Sequence, residues 1–252
     1  MSATDPGAVS APALLEEVPP RALAVYAHPD DAEVSAGGTL ARWAAGGAEV
    51  HLVVCTAGDK GASDGALDPG ALVRRRAEEV AAAAARLGLA GHAMLGIPDG
   101  ELEADPTTRA TLVAAIRRLR PEVVVCPDPT AVFFGDTYVN HRDHRMAGEA
   151  CVDAVAPAAA SPLYFPEAGP AHAVATLLLS GTLAPNLWVD VDDHLEAKIE
   201  AVLCHRSQLG VTAGPEGGSA SWFDEVVRRR AAEGGRQAGT ASAEGFRRIR
   251  LT

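Results

Sequence analysis

Short apolar runs recur along this chain at intervals long enough to hold a helix, and this alternation restricts the fold more than any other feature. Ala22 to Ala27, Val50 to Cys55, His92 to Leu95 and Val123 to Cys126 are strand-length segments suited to burial. Between them lie Gly37 to Ala45, stopped by Gly46-Gly47; Leu72 to Leu87, rich in Ala, Arg and Glu and followed by Gly88; and Thr107 to Leu119, followed by Pro121. Each intervening stretch has helix composition and a helix stop signal. Strands that alternate with helices predict an α/β, Rossmann-like architecture: a mostly parallel sheet, helices on both faces and right-handed crossovers. Two later apolar runs, Ala173 to Leu179 and Leu187 to Val191, are expected to add edge strands near the C-terminus.

The rest of the chain fits around that frame. Helices are expected over about Asp143 to Val155 and Asp192 to Leu209, with a Pro-rich stretch at 157–170. The glycine-rich segments 210–221 and 231–242 suggest loops or a lid. Residues 1–20 lack periodicity and are expected to form a flexible arm, leaving 21–252 as a single domain, which a chain of 252 residues accommodates. Acidic residues outnumber Lys and Arg by 33 to 22, giving a net charge of −11, so neither nucleic acid nor an anionic membrane is an expected partner. A small-molecule substrate is. The basic segments Arg228 to Arg230 and Arg247 to Arg250 suit a solvated face or a homo-oligomer contact. No apolar run is long enough to span a bilayer, and the first twenty residues carry acids and prolines where a secretory leader is basic and then apolar, so a cytoplasmic protein is expected. Cys55, Cys126, Cys151 and Cys204 are widely spaced and are expected to be buried thiols.

In open parallel sheets, ligands bind beyond the carboxyl ends of the strands, where strand order reverses. Two chemically dense segments fall at such ends. Ala27-His28-Pro29-Asp30-Asp31 follows the first strand, and Asn140-His141-Arg142-Asp143-His144 follows the fourth. In the common doubly wound order those strands are neighbours. A catalytic zinc takes three protein ligands and keeps a position open, and these segments offer more donors than that, leaving an imidazole and a carboxylate for acid and base work. An ordinary explanation exists for each part: Asp30 and Asp31 could cap the following helix, and an HxxH pair is weak by itself. The residues alone leave both explanations open.

The pattern Ala27-His28-Pro29-Asp30-Asp31-Ala32-Glu33, Gly37-Gly38-Thr39, Arg76 with Glu79, Leu87-Gly88 and His141 to His144 resembles the PIG-L/LmbE-type zinc N-deacetylases. The likeness continues through Lys198 to Ala201, His205 with Ser207-Gln208, and Ala243-Glu244-Gly245-Phe246, and so covers nearly everything from about residue 21. Within the family it is most like the branch that deacetylates N-acetylglucosaminyl intermediates of bacillithiol- and mycothiol-like thiols. The resemblance implies a Zn2+ site, with another divalent ion such as Fe2+ open, formed by His28, Asp31 and His144. It implies Asp30 as the general base and His141 as the group that supports the oxyanion and protonates the departing amine, with Asp143 orienting that imidazole. Arg76 and Asp99 are implied as substrate-binding residues, although helix ion pairing and a plain turn are the ordinary explanations for them.

Two alternatives stand beside deacetylation of an N-acetyl amino-sugar conjugate. One is an amidase that cleaves a larger acyl group from a thiol or antibiotic glycoside conjugate. The other is a non-catalytic nucleotide-binding α/β protein, which the lack of a G-x-G-x-x-G or P-loop pattern after the first strand disfavours. Many family members carry proline where Arg142 stands, a departure that changes local stiffness and charge but no metal donor.

Overall fold

The apolar runs become strands because helices cover both of their faces. In the computed structural model, which describes residues 13–62, 68–209 and 219–251, β1 (Arg21–Tyr26), β2 (Glu49–Thr56), β3 (Gly91–Ile97) and β4 (Val123–Pro127) alternate with α1 (Asp31–Ala45), α2 (Pro69–Arg86) and α3 (Pro106–Leu119). Successive residues of β1 serve opposite cores. Leu23, Val25 and Ala27 pack with Leu112, Ile116 and Cys151, whereas Ala22, Ala24 and Tyr26 pack with Leu40, Trp43, Val189 and Phe246. The helix starts carry the expected signals: Asp68 and Asp105 cap α2 and α3, each ahead of a proline in the first turn, and accept hydrogen bonds from Ala71 N (2.9 Å) and Thr108 N (2.8 Å).

After β4 come a hairpin of β5 (Phe133–Phe134) and β6 (Tyr138–Val139), then α4 (Arg142–Asp153), β7 (Thr176–Ser180), β8 (Leu187–Asp190), α5 (Leu195–Val202), α6 (Ala220–Ala238) and β9 (Ala243–Arg250). The main sheet runs β3-β2-β1-β4-β7-β9-β8, with β9 antiparallel to both of its neighbours and the remaining described pairs parallel. β1 and β4 are adjacent, and strand order reverses between them. This is the α/β, mostly parallel architecture that the alternation predicts. Cys55, Cys126 and Cys151 are buried free thiols, and Cys204 is partly exposed. Among the described residues no helix is long and apolar enough to cross a membrane.

Several expectations change. α1 begins at Asp31, well before Gly37, with Asp31 and Glu33 in the first turn, where negative charge favours the helix N-terminus. The segment 231–242 forms no lid, because most of it lies within α6. Its glycines serve close packing, since a Cβ on Gly234 would stand 2.1 Å from the Ala243 carbonyl oxygen. The basic segments lie on regular elements: Arg228 to Arg230 are exposed on α6, and Arg247 to Arg250 belong to β9, paired in register with Leu179 to Thr176 of β7 and partly exposed. The expected long helix at 192–209 is only α5, flanked by single tight turns at Asp192–His194 and Arg206–Gln208. Of the expected arm, residues 1–12 lie outside the described residues, as do 63–67 and, of the expected loop at 210–221, residues 210–218. Residues 13–15 lie along β8, with Trp188 N donating to Ala13 O (2.9 Å) and Leu15 N to Trp188 O (2.8 Å).

One buried carboxylate sets the position of α1. Glu244 of β9 accepts from Gly38 N (3.0 Å), Thr39 N (2.8 Å), Thr39 Oγ1 (2.6 Å) and Lys198 Nζ (2.5 Å). This ties α1, α5 and β9 together through a fully partnered charge, the condition under which burying one is tolerable.

Candidate active site

The two dense segments meet beyond the carboxyl ends of β1 and β4. At the end of β1 the chain turns sharply: Asp30 has φ 104 and ψ −24, a left-handed conformation that side chains other than glycine rarely adopt. The turn is held from several sides. His28 N donates to Asp31 Oδ2 (2.7 Å), Val34 N to Asp30 O (3.1 Å), and the buried Arg76 guanidinium donates to Pro29 O (2.6 Å) and Gly58 O (3.1 Å). Asp31 thereby points back toward His28. From the other segment, α4 comes close enough to present His144, because Gly148, one turn later, lies against the Pro127 carbonyl, where an added Cβ would stand at 2.4 Å.

Two imidazole nitrogens and the two oxygens of the Asp31 carboxylate converge as a triangle of donor groups. His28 Nδ1 and His144 Nε2 are 3.1 Å apart, His28 Nδ1 and Asp31 Oδ2 3.3 Å, and His144 Nε2 and Asp31 Oδ1 3.2 Å. A tetrahedral ion with ligand bonds of about 2.0–2.1 Å separates its ligand atoms by about 3.3–3.4 Å, and the two nitrogens, and each nitrogen with its nearer Asp31 oxygen, stand close to that separation. The ring tautomers agree. Asn140 Nδ2 donates to Ala131 O (2.8 Å), which turns its Oδ1 toward His144 Nδ1 (2.8 Å) and makes that nitrogen a donor, so Nε2 carries the lone pair. His28 Nε2 faces Asp99 Oδ1 and Asp143 Oδ2, each at 3.3 Å, so the proton sits there and Nδ1 is free to coordinate. Two lone pairs and a carboxylate aimed at one point repel one another unless a cation lies between them. The surroundings favour positive charge at this point: burial opposes charge on His28, but Asp31, Asp143 and Asp99 push its pKa up to about 12, so a metal bound here would displace the Nδ1 proton. Burial likewise opposes charge on His144, yet Asp31 raises its pKa.

A second set of potential donors, His28, Asp99, His141 and Asp143, also lies within mutual reach. In it the two carboxylates serve as acceptors for the His28 Nε2 proton, the usual arrangement behind a metal-bound histidine. The Asp143 carboxylate also accepts from Gly100 N (2.6 Å) and is fully buried. It hydrogen-bonds His28 and not the His141 ring, which corrects the expectation that it orients His141; only its backbone N–H reaches His141 Nδ1 (3.2 Å). His141 caps α4 and stands edge-on to His28, with ring centroids 4.7 Å apart. Because Nδ1 accepts, the neutral ring carries its proton on Nε2. Partial burial and the neighbouring His28 and His144 hold its pKa below the usual value.

Asp30 stands beside the triad, with a quarter of its side chain exposed and its Oδ2 3.6 Å from Arg76. Withdrawal from water and the adjacent Asp31 raise its pKa to about 6, against the pull of Arg76 and His205. Arg76 and Asp99, expected at the substrate, both turn inward: Arg76 is 2% exposed and holds the His28–Asp31 turn, and Asp99 backs His28. Sequence reasoning gave Asn140 no role, although its position four residues before His144 was a signal. Asp30, Asp31, Asn140 and His144 line a cleft of about 780 Å³.

The chain is similar to known proteins along most of its length. Residues 23–155 match the family model described as PIG-L, GlcNAc-PI de-N-acetylase. The diacetylchitobiose deacetylase of Thermococcus kodakarensis is 32% identical over 230 residues, covering 90% of this chain and 82% of the relative. The 1D-myo-inositol 2-acetamido-2-deoxy-alpha-D-glucopyranoside deacetylase of Rhodococcus opacus is 33% identical, with 82% of this chain and 87% of the relative covered. Among solved structures, N,N'-diacetylchitobiose deacetylase from Pyrococcus horikoshii superposes with a TM-score of 0.81 at 29% identity, over 92% of this chain and 84% of that one.

Proposed function

Because the chain belongs to the PIG-L family of de-N-acetylases, we propose that it removes the acetyl group from the nitrogen of an N-acetylglucosaminyl conjugate, using a divalent metal held by His28, Asp31 and His144. The observation that carries this proposal is the triangle of donor groups, its two nitrogens 3.1 Å apart and each within 3.3 Å of one oxygen of Asp31, with the ring lone pairs fixed by partners behind each ring. Two imidazoles and one carboxylate suit zinc with an open position, and Fe2+ accepts the same set. Such a metal supplies Lewis-acid polarisation of the amide and a more acidic water.

The side chains supply the rest. Asp30 is the base that takes the proton from the attacking water, and a pKa of about 6 suits a base working near neutral pH. His141 donates from Nε2 to the carbonyl oxygen as negative charge builds there. Its lowered pKa makes its protonated form a ready donor to the leaving nitrogen. The C–N bond breaks, acetate takes the water oxygen, and the amine leaves with a proton that His141 recovers from Asp30. Asp99 and Asp143 keep His28 in the coordinating tautomer, and Arg76 keeps Asp30 in its turn. The test is acetate release from N-acetylglucosaminyl substrates by protein of measured metal content. Zinc near one per chain is expected, and Asp30→Ala should keep the metal while losing about 10²- to 10⁴-fold in rate. Full activity in that variant would remove Asp30 from the mechanism.

A further inference from the structure

Aromatic residues are scarce in this chain, with three Trp, three Tyr and five Phe, yet five of these eleven line a cleft that opens onto the donor triangle. Tyr26 lies at its floor. Phe134 and Tyr138 come from the β5–β6 hairpin, and Trp222 and Phe223 from the first turn of α6. The two aromatic groups are packed internally, with ring centroids 5.9 Å apart for Phe134 and Tyr138 and 5.0 Å for Trp222 and Phe223. None of these four is buried, and Tyr138 is 52% exposed. Val34, Pro127 and Val226 add apolar surface to the same cleft.

Apolar surface left in water is unfavourable in proportion to its area, and a concentration of it beside polar catalytic groups is the usual form of a small-molecule site. The polar groups deeper in the cleft are already engaged: Asp128 accepts from Thr130 and Thr182, and Lys198 is held by Glu244. The cleft's 780 Å³ also holds more than a single pyranose ring. We infer that the site is bipartite, and that the wall formed by Phe134, Tyr138, Trp222 and Phe223 binds a ring-shaped, apolar-faced aglycone attached to the amino sugar. The acetamido group sits at the triad while the aglycone stacks on the aromatic wall. This inference rests on the proposed deacetylation for its orientation, but the wall's affinity for an aglycone can be measured without turnover.

The test pairs two probes, N-acetylglucosamine and p-nitrophenyl N-acetyl-β-D-glucosaminide, with a binding measurement by calorimetry on phenyl β-D-glucosaminide, which has no acetyl group to lose. The native protein is expected to favour the aryl glycoside by about tenfold in kcat/KM, mainly through KM. Trp222→Ala should abolish most of that preference and weaken phenyl glucosaminide binding by a similar factor, and Trp222→Phe should restore both. Equal losses on the two probes, no preference in the native protein, or an effect that follows a change in oligomeric state would each overturn the inference. If neither probe is deacetylated, the proposed reaction fails. Calorimetry then decides the wall alone, with Trp222-dependent binding supporting it and unchanged binding refuting it.

Discussion

Each histidine of the triangle has its far nitrogen engaged by the protein, and that engagement determines which nitrogen can coordinate. For His28 the partners are Asp99 and Asp143, both at 3.3 Å from Nε2. Replacing Asp143 by Asn would keep an acceptor for the Gly100 N–H but could turn amide hydrogens toward the His28 Nε2–H. Metal affinity is expected to fall by about 10- to 100-fold, the usual effect of losing an outer partner, and a chelator competition titration would measure it. Unchanged affinity would mean that Asp99 alone fixes the ring. At this scale the sequence was informative about donors and poor about supports. The two donor-rich segments are visible because few residue types can hold a metal and their place at strand ends is set by short-range pattern, whereas the choice of His28, Asp31 and His144 among those donors came from the family resemblance. The contacts of Arg76 and Asp99 with the His28–Asp31 turn were not legible, because the direction of a long side chain on a helix, or of a carboxylate in a turn, depends on which neighbour the fold brings to it. The 104° φ of Asp30 has no local sequence signal, since aspartate is no more than tolerated there.

α4 and α6 each carry a glycine set against a backbone carbonyl too closely for a Cβ, and they differ in what they position. Gly148 of α4 faces the Pro127 carbonyl at the end of β4, one turn after His144. Gly234 of α6 faces the Ala243 carbonyl at the start of β9, on an element whose described contacts lead to α5 and the sheet edge. Each Gly→Ala change should be destabilising by about 1–3 kcal/mol, as expected of overpacking. Only Gly148→Ala should also lower metal affinity, because moving α4 outward widens the triangle at His144. Thermal melts with metal titrations on both variants check this, and equal metal affinity in the two would separate α4 placement from the site. Element boundaries were legible where caps and stop signals lie in the chain, as at Asp68 and Asp105. They were missed where packing decided. Glycines at 234 and 235 resemble a loop in composition until the close carbonyl contacts account for them, and nothing in the composition of 247–250 marks the strand that pairs with β7. Arg117 shows the same limit: it is buried and donates to six carbonyls between Ala158 and Gly169, ordering the Pro-rich segment from a helix that gave no hint of it.

For the whole molecule, the triangle joins parts of the chain that are far apart in sequence: His28 and His144 are separated by 116 positions and meet only when β1 and β4 are neighbours. An unfolded chain has no such site, so any metal bound there adds its binding free energy to folding. At a free metal concentration of about 100 times Kd the gain is about 2.7 kcal/mol, and for a domain of this size that corresponds to a rise in Tm on the order of 5–10 °C. Chelation should therefore lower Tm by that amount, and zinc should restore it. In His144→Gln the response to metal should largely disappear while unfolding stays cooperative, because the clamp formed by Glu244, Lys198 and α1 lies elsewhere. The direction of the effect distinguishes the alternatives. If the three donors were only hydrogen-bonded to one another, metal would have nothing to displace and Tm would not respond. If metal bound mainly to unfolded His and Cys side chains, it would lower Tm. Only a seat formed by the folded sheet gives a rise that His144→Gln removes.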